Sequence, residues 1–365
     1  MNYKVEDINL DFCINEQTYL ADYVWLDVNN KFRSKTKVMK ITEEESRYEI
    51  YHYDVWNYDG SSTGQATVNN SEMLLYPVRI YKKPFTDNVI VYCETGQKKD
   101  GNVIFLNGQR QYFDTIIEEN LDLEPMFGLE QEFFLVDKKT LLPYGVEKSN
   151  GIVKTLINTI WNTCENQYCG VGNIHPKVRE FMNIIMNKSL DMELGLTGMN
   201  MEVAPSQCEF QVCGYGLDPC DDLIILRYIM ELESENYDFY VEYKPKPFKN
   251  YSGSGCHINF STSKMRSEGG YEYITSCLEV MKTYKPDEHL EHYGENNKYR
   301  LTGLNETSKW NEFTVGIGSR DKSIRVPRST VENECGYFED RRPGANIDPY
   351  DACMYLFKMT LSKFE

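Results

Sequence analysis

The strongest constraint on this chain is where it places ionisable residues inside short extended runs. The runs are Gly128–Leu129–Glu130–Gln131–Glu132–Phe133, Glu202–Val203, Glu209–Phe210–Gln211–Val212, His257–Ile258–Asn259–Phe260, Arg320 to Arg325, and Phe338–Glu339–Asp340–Arg341–Arg342–Pro343. Successive side chains of a strand point to opposite faces. Glu130 and Glu132 therefore share a face, as do His257 and Asn259, and Glu339 and Arg341, while Leu129, Phe133 and Leu135 turn the other way. Two carboxylates about 7 Å apart repel by roughly 2 kcal/mol at an effective dielectric of about 20. Glu202, Glu209 and Glu339 nearby would multiply that cost. Divalent cations would remove it, because hard cations prefer carboxylate oxygens.

The bulk numbers narrow the function classes. A chain of 365 residues, 41% hydrophobic and 26% charged, suits one large or two ordinary globular domains. A net charge of −17 argues against nucleic acid as the main partner, since phosphate backbones demand a basic face. No apolar run reaches membrane-span length, so no membrane partner is expected. Met1–Asn2–Tyr3–Lys4–Val5–Glu6–Asp7 carries neither signal-peptide nor transit-peptide character. Eleven cysteines without a C-x-x-C pair read as reduced thiols. A cytoplasmic location is the expectation.

Along the chain, Tyr23 to Asp27, a turn over Val28–Asn29–Asn30–Lys31, and Phe32 to Val38 predict a hairpin. Trp56 to Ala66 reads as a polar, glycine-rich loop. Met73 to Pro77 and Val89 to Cys93 read as strands, and Arg110 to Asn120 as a helix. Further helices are expected over 150–163, 176–188, 218–235 and 270–284. The pattern predicts a β-rich domain over 1–105 and an α+β domain with an antiparallel sheet over 106–365, with a boundary near 103–110.

The carboxylate runs with His257 form a hard-oxygen set with one nitrogen, which suits Mg2+ or Mn2+ better than zinc. Arg300, Arg320, Arg325, Arg341 and Arg342 crowd the last fifth of an acidic protein. They either pair with those carboxylates or capture carboxylate and phosphate groups. Metal-bridging acids with several arginines are the equipment of phosphoryl transfer. No Walker loop or kinase signature is present, and Asp59 to Gln65 lacks a P-loop lysine.

Trp56 to Ala66, Phe127 to Glu132, Tyr168–Cys169–Gly170–Val171–Gly172, Gly253 to Asn259, Arg300–Leu301–Thr302–Gly303 and Gly336 to Pro343 together resemble glutamine synthetase of the eukaryotic type. Tyr23–Val24–Trp25 and Arg33–Ser34–Lys35–Thr36 resemble its first hairpin, and the order of motifs is the family's over nearly the whole chain. The resemblance implies a β-grasp-like N-terminal domain and a catalytic α/β domain with a curved antiparallel sheet. It implies ATP-dependent joining of ammonia to L-glutamate through a γ-glutamyl phosphate. A related glutamate–amine ligase and a catalytically inactive structural homologue are the alternatives.

By resemblance, Glu132, Glu202 and Glu209 hold one metal, and Glu130, His257 and Glu339 hold another on the nucleotide phosphates. Arg300, with Gly253 and His257, binds glutamate. Arg320, Arg325 and Arg341 neutralise the phosphate and γ-carboxylate. Asn259, Ser261 and Tyr337, with Arg320 and Arg325, bind the nucleotide. Glu306, on a flap, and Asp59 form the ammonium site and take its proton. The resemblance further implies two or more Mg2+ or Mn2+ ions per site and a homo-oligomer, a decamer of two stacked pentamers, whose sites are shared between neighbours. Met126 and Cys208 stand where the family usually has Trp, Asn305 where it has His, and Ser252 where it has Asn.

Overall fold

The computed structural model describes residues 16–42, 45–149, 152–155 and 167–361. The chain divides into two compact units, Met1–Asn107 and Gly108–Glu365.

The first unit is a six-stranded sheet of β1 (Glu16–Leu26), β2 (Phe32–Thr42), β3 (Trp56–Asp59), β4 (Glu72–Lys82), β5 (Val89–Lys99) and β6 (Asn102–Phe105). The order is β2-β1-β5-β4-β3, with β6 added to β5. The predicted hairpin is β1–β2, in register from Glu16 opposite Thr42 to Leu26 opposite Phe32. Asp27 ties its turn, accepting from the amides of Asn29 and Lys31 and from the Arg33 guanidinium. Period-two alternation puts Tyr19, Ala21, Tyr23 and Trp25 in a core with Met73, Leu75, Val89 and Val91. The segment read as a loop from Trp56 is ordered further: Trp56–Asp59 pairs with β4, and Gly60–Thr63 is a 3-10 turn. Gly60 is required there, since a Cβ would come within 2.2 Å of Met73 Cγ.

The second unit begins with α1 (Gln109–Glu119), β7 (Met126–Asp137), β8 (Val146–Ser149), β9 (Ile152–Thr155), α2 (Pro176–Asp191), β10 (Leu196–Met201), β11 (Gln207–Tyr215) and α3 (Asp218–Ser234). It continues with β12 (Phe239–Glu242), β13 (Cys256–Ser261), α4 (Gly270–Met281), α5 (Pro286–Glu291), β14 (Val315–Ile317), β15 (Ile324–Val326), α6 (Arg328–Glu332), β16 (Phe338–Asp340) and α7 (Pro349–Leu361). Eight strands form one sheet in the order β10-β11-β7-β13-β16-β15-β14, with β12 on β7. The pairings are antiparallel except β14–β15, just as β1–β5 is the parallel pair of the first unit. Residues 152–155 of the helix expected over 150–163 are strand, and 156–163 lie outside the described residues. Ile152, Val153 and Thr155 are β-branched and favour the extended backbone.

One side of this sheet is an aromatic core. Phe127, Phe260 and Phe338 are fully buried, and Phe127 and Phe260 each meet Phe357 of α7 ring against ring. Leu223 to Met230 of α3 are buried as well. The other side carries the ionisable residues. Among the described residues no helix is long and apolar enough to cross a membrane.

Candidate active site

β7 is the organising strand. Its register sets Glu132 opposite Glu209 of β11, and Glu130 opposite His257 of β13. β16 brings Glu339 opposite Asn259 on the far side of β13. The result is two triplets, Glu130–His257–Glu339 and Glu132–Glu202–Glu209, each offering one ligand atom per residue, all within 4.8 Å of one another. Glu202 follows the end of β10 rather than lying within a strand. Three converging donors at such spacing, two carboxylates and an imidazole in one set and three carboxylates in the other, fit a divalent cation.

The electrostatics fit the same reading. Burial, then Glu202, pushes the Glu132 carboxyl up to about 8. Burial, then Glu130 and Glu132, pushes Glu209 up to about 9. Glu202 is raised by burial too, even though it accepts from Val203 N and the Asn200 amide. Burial and then Arg341 hold His257 well below its ordinary value. His257 is therefore neutral, a state in which it can ligate a metal. Its Nδ1 lies 3.3 Å from Glu130 Oε2 and 3.5 Å from Glu339 Oε1. Asn259 Nδ2 donates to the other Glu130 oxygen at 2.8 Å.

Arginines surround the carboxylates. Arg341 Nη1 donates to Glu339 Oε1 at 2.6 Å, and Arg325 Nε stands 2.8 Å from Glu339 Oε2. Arg325 lies in β15, whereas Arg320 lies in the preceding turn and not in an extended run. Arg341 also follows β16, which ends at Asp340. Arg300 is buried. Its Nε donates to Asn297 Oδ1, and its Nη2 donates to the carbonyls of Arg341, Arg342 and Pro343. Burial lowers it to about 10. Only Nη1 remains without a protein acceptor among the described residues, so a two-pronged grip by Arg300 on a carboxylate does not fit this placement. Gly253 and Gly255 allow the approach: a Cβ at Gly253 would meet Arg300 Cγ at 2.5 Å, and one at Gly255 would meet His257 Nε2 at 2.7 Å.

Glu306 lies in the loop closed by the Thr302–Lys309 bridge. Asn305 and Glu306 both adopt left-handed backbone, at φ 52° and 61°. Glu306 Oε2 pairs with Arg320 Nη1 at 3.2 Å, and Arg341 Nη2 donates to its carbonyl. Tyr168, then Glu306, raises Arg320 above its ordinary value. Asp59 belongs to the first unit, is exposed, and accepts from the Ser61 and Ser62 hydroxyls, which hold it below the usual carboxylate range. A cavity of about 360 Å³ beside Glu130 is lined by Asn259, Ser261, Arg266 and Tyr337. Met126 lines the same cavity, whereas Cys208 is fully buried, 3.8 Å from Met201 Sδ.

Sequence reasoning missed the residues that hold this face from behind. Gln131, on the apolar side of β7, is fully buried and accepts from Arg227 of α3 at 2.8 and 2.5 Å. Arg227 and Gln131 both donate to Ala345 O. Asp340, between Glu339 and Arg341, points inward and takes a forked pair from Arg342 at 2.9 and 2.5 Å, plus the Tyr293 hydroxyl. Burial opposes ionisation of Asp340, but Arg342 outweighs it and holds the carboxyl low. The only sequence signal was a polar residue at an apolar-phase position.

The comparisons with known proteins agree with this arrangement. A family model described as glutamine synthetase, catalytic domain, matches residues 110–271. A protein of Acanthamoeba polyphaga mimivirus, provisionally named glutamine synthetase, is 43% identical over 92% of this chain and 93% of its own. The glutamine synthetase of Schizosaccharomyces pombe is 38% identical over 91% of this chain and 89% of its own. A glutamine synthetase cytosolic isozyme of Pinus sylvestris is 35% identical over 97% of each. Similarity at that level, spanning both units of the chain and agreeing with the convergent carboxylates and arginines, has one meaning: this chain belongs to the glutamine synthetase family.

Proposed function

We propose that this protein is a glutamate–ammonia ligase that makes glutamine, ADP and phosphate from glutamate, ammonia and ATP. The observation that carries the reading is the pair of donor triplets on neighbouring strand positions, with Arg300, Arg325 and Arg341 beside them. Glu130, His257 and Glu339 would hold one divalent cation and Glu132, Glu202 and Glu209 a second, Mg2+ or Mn2+, whose charge offsets that of the phosphates and the γ-carboxylate. Asn259, Ser261 and Tyr337 line the cavity assigned to the nucleotide. Arg300 presents Nη1 to the α-carboxylate of glutamate, in the room left by Gly253.

A γ-carboxylate oxygen attacks the terminal phosphorus of ATP, and the bond to ADP breaks. Arg320, Arg325 and Arg341 neutralise the transferred group. Ammonium gives its proton to Glu306 or Asp59, ammonia attacks the acyl carbon, and the adduct passes a second proton to the phosphate as the carbon–oxygen bond breaks, leaving the amide and hydrogen phosphate. Water must be kept out, or it would take the place of ammonia. We place Asp59 of one subunit at the site of its neighbour, in a ring-forming homo-oligomer of two stacked pentamers. We place the enzyme in the cytoplasm, on the strength of the pine relative's name.

The test is phosphate release from ATP with glutamate, with and without ammonium, and with hydroxylamine or methylamine in its place. Release that needs glutamate and is fastest with ammonium is expected. Equal or faster turnover with methylamine would overturn the choice of ammonia.

A further inference from the structure

We infer that Asn297 is the positioning residue for Arg300, and so sets the enzyme's affinity for the amino-acid substrate. The inference rests on the reading of Arg300 as the carboxylate-binding arginine. Asn297 begins a 3-10 turn, Asn297–Tyr299, and is 1% exposed. Its carboxamide is fully used. Oδ1 accepts from Arg300 Nε at 3.0 Å, while Nδ2 donates to Tyr293 O at 2.9 Å and Arg342 O at 2.6 Å.

These three bonds tie Arg300 to the carbonyls of Tyr293 and Arg342 through one side chain. Arg342 O also accepts from Arg300 Nη2 at 2.6 Å, so Asn297 and Arg300 hold the same carbonyl. That carbonyl sits next to Arg341, whose side chain reaches Glu339. A guanidinium is planar, so fixing Nε and Nη2 fixes the direction of Nη1. Nη1 is the nitrogen left to meet a ligand, and Asn297 supplies the Nε half of that fix. The fit is close: a Cβ on Gly344 would come within 2.9 Å of Asn297 Oδ1. Only a side chain with one acceptor and two donors at this length satisfies all three partners. Aspartate, of the same shape, keeps the acceptor, loses both donors, and puts a negative charge on Arg300 Nε.

The experiment measures KM for glutamate and for ATP, with kcat, in the assembled enzyme for Asn297→Ala, Asn297→Asp, Arg300→Lys and the Asn297→Ala/Arg300→Lys double variant. Asn297→Ala should raise KM for glutamate at least about tenfold, the effect of losing a charge-assisted bond, with KM for ATP changed less than about threefold. Asn297→Asp should raise the same constant by partly neutralising Arg300. The double variant should be little worse than Arg300→Lys alone, because both act through one group. A purely structural role would instead lower kcat and both affinities together, and the two single effects would multiply. Asn297→Asp with parental kinetics overturns the inference even if Asn297→Ala fails to fold. If Arg300→Lys itself leaves the glutamate constant unchanged, the reading of Arg300 fails, and this inference with it.

Discussion

Arg341 Nη1 lies 2.6 Å from Glu339 Oε1, and the two side chains leave the chain two residues apart. Glu339 is thus paired directly with arginine, whereas Glu132 faces Glu202 and Glu209, accepts hydrogen bonds from the amides of Gly255 and Gln207, and feels Arg300 and Arg341 only at longer range. The two should respond oppositely to substitution. Glu339→Gln should destabilise the metal-free protein by about 3 kcal/mol, since it strands buried arginine charge. Glu132→Gln should leave its thermal midpoint equal or higher above about pH 9, where an ionised Glu132 would repel Glu202 and Glu209. Both should lose more than about 100-fold in activity while remaining folded. Calorimetry in chelator, beside the activity assay, checks this; a fall in midpoint for Glu132→Gln would contradict the repulsive arrangement.

The raised carboxyls predict how stability depends on pH. Glu132 and Glu209 sit at about 8 and 9 in the folded chain, against roughly 4.3 for an unfolded glutamate. The folded state therefore binds more protons between these values. The stability these groups contribute is present below their unfolded value and is lost as pH rises through about 8 and 9. In chelator the midpoint should decline from pH 6 to 9, and Glu209→Gln should flatten that decline. Mg2+ added at pH 7 should release protons, detectable with an indicator dye in weak buffer. Uptake, or no release, would argue against these groups as ligands.

Arg300→Lys should raise KM for glutamate by about tenfold or more while affecting ATP less. An ammonium cannot reproduce the planar fork that holds four protein oxygens, so a lower thermal midpoint should accompany the kinetic change. A selective effect on ATP would reassign the arginine.

Asp59 tests the assembly. Asp59→Ala and Arg341→Ala should each be nearly inactive. Dissociated, mixed and reassembled, they should recover part of the parental rate, because some junctions pair an intact Asp59 with an intact Arg341. Mixed assemblies as inactive as their parents, with subunit exchange verified by mass, would rule out a site completed by a neighbour.

The acidic face was legible because strand geometry is local. Glu130 and Glu132 had to share a side, and so did His257 and Asn259, whatever the rest of the chain did. Gln131 with Arg227, and Asp340 with Arg342 and Tyr293, were not legible in the same way. Gln131 and Arg227 are 96 residues apart, and nothing nearby in the sequence names the partner of a buried amide. The run from Arg320 to Arg325 is extended only from Ile324 onward; the structure puts Arg320 in a turn, where Tyr168 and Glu306 hold its side chain. Within the helix expected over 150–163, residues 152–155 are strand, where β-branched residues favour the extended backbone over a mixed pattern; the rest of that stretch lies outside the described residues.

Because Glu130 and Glu132 are alternate residues of one unbroken strand, the two ligand sets are spaced by a covalent ruler. Its graduation is the strand repeat of roughly 7 Å per residue pair, which no loop length or side-chain choice elsewhere can reset. Length changes in exposed loops between the six runs leave that spacing untouched. A single residue gained or lost between positions 130 and 132 would send one carboxylate through to the aromatic side and dismantle the ligand set it belongs to.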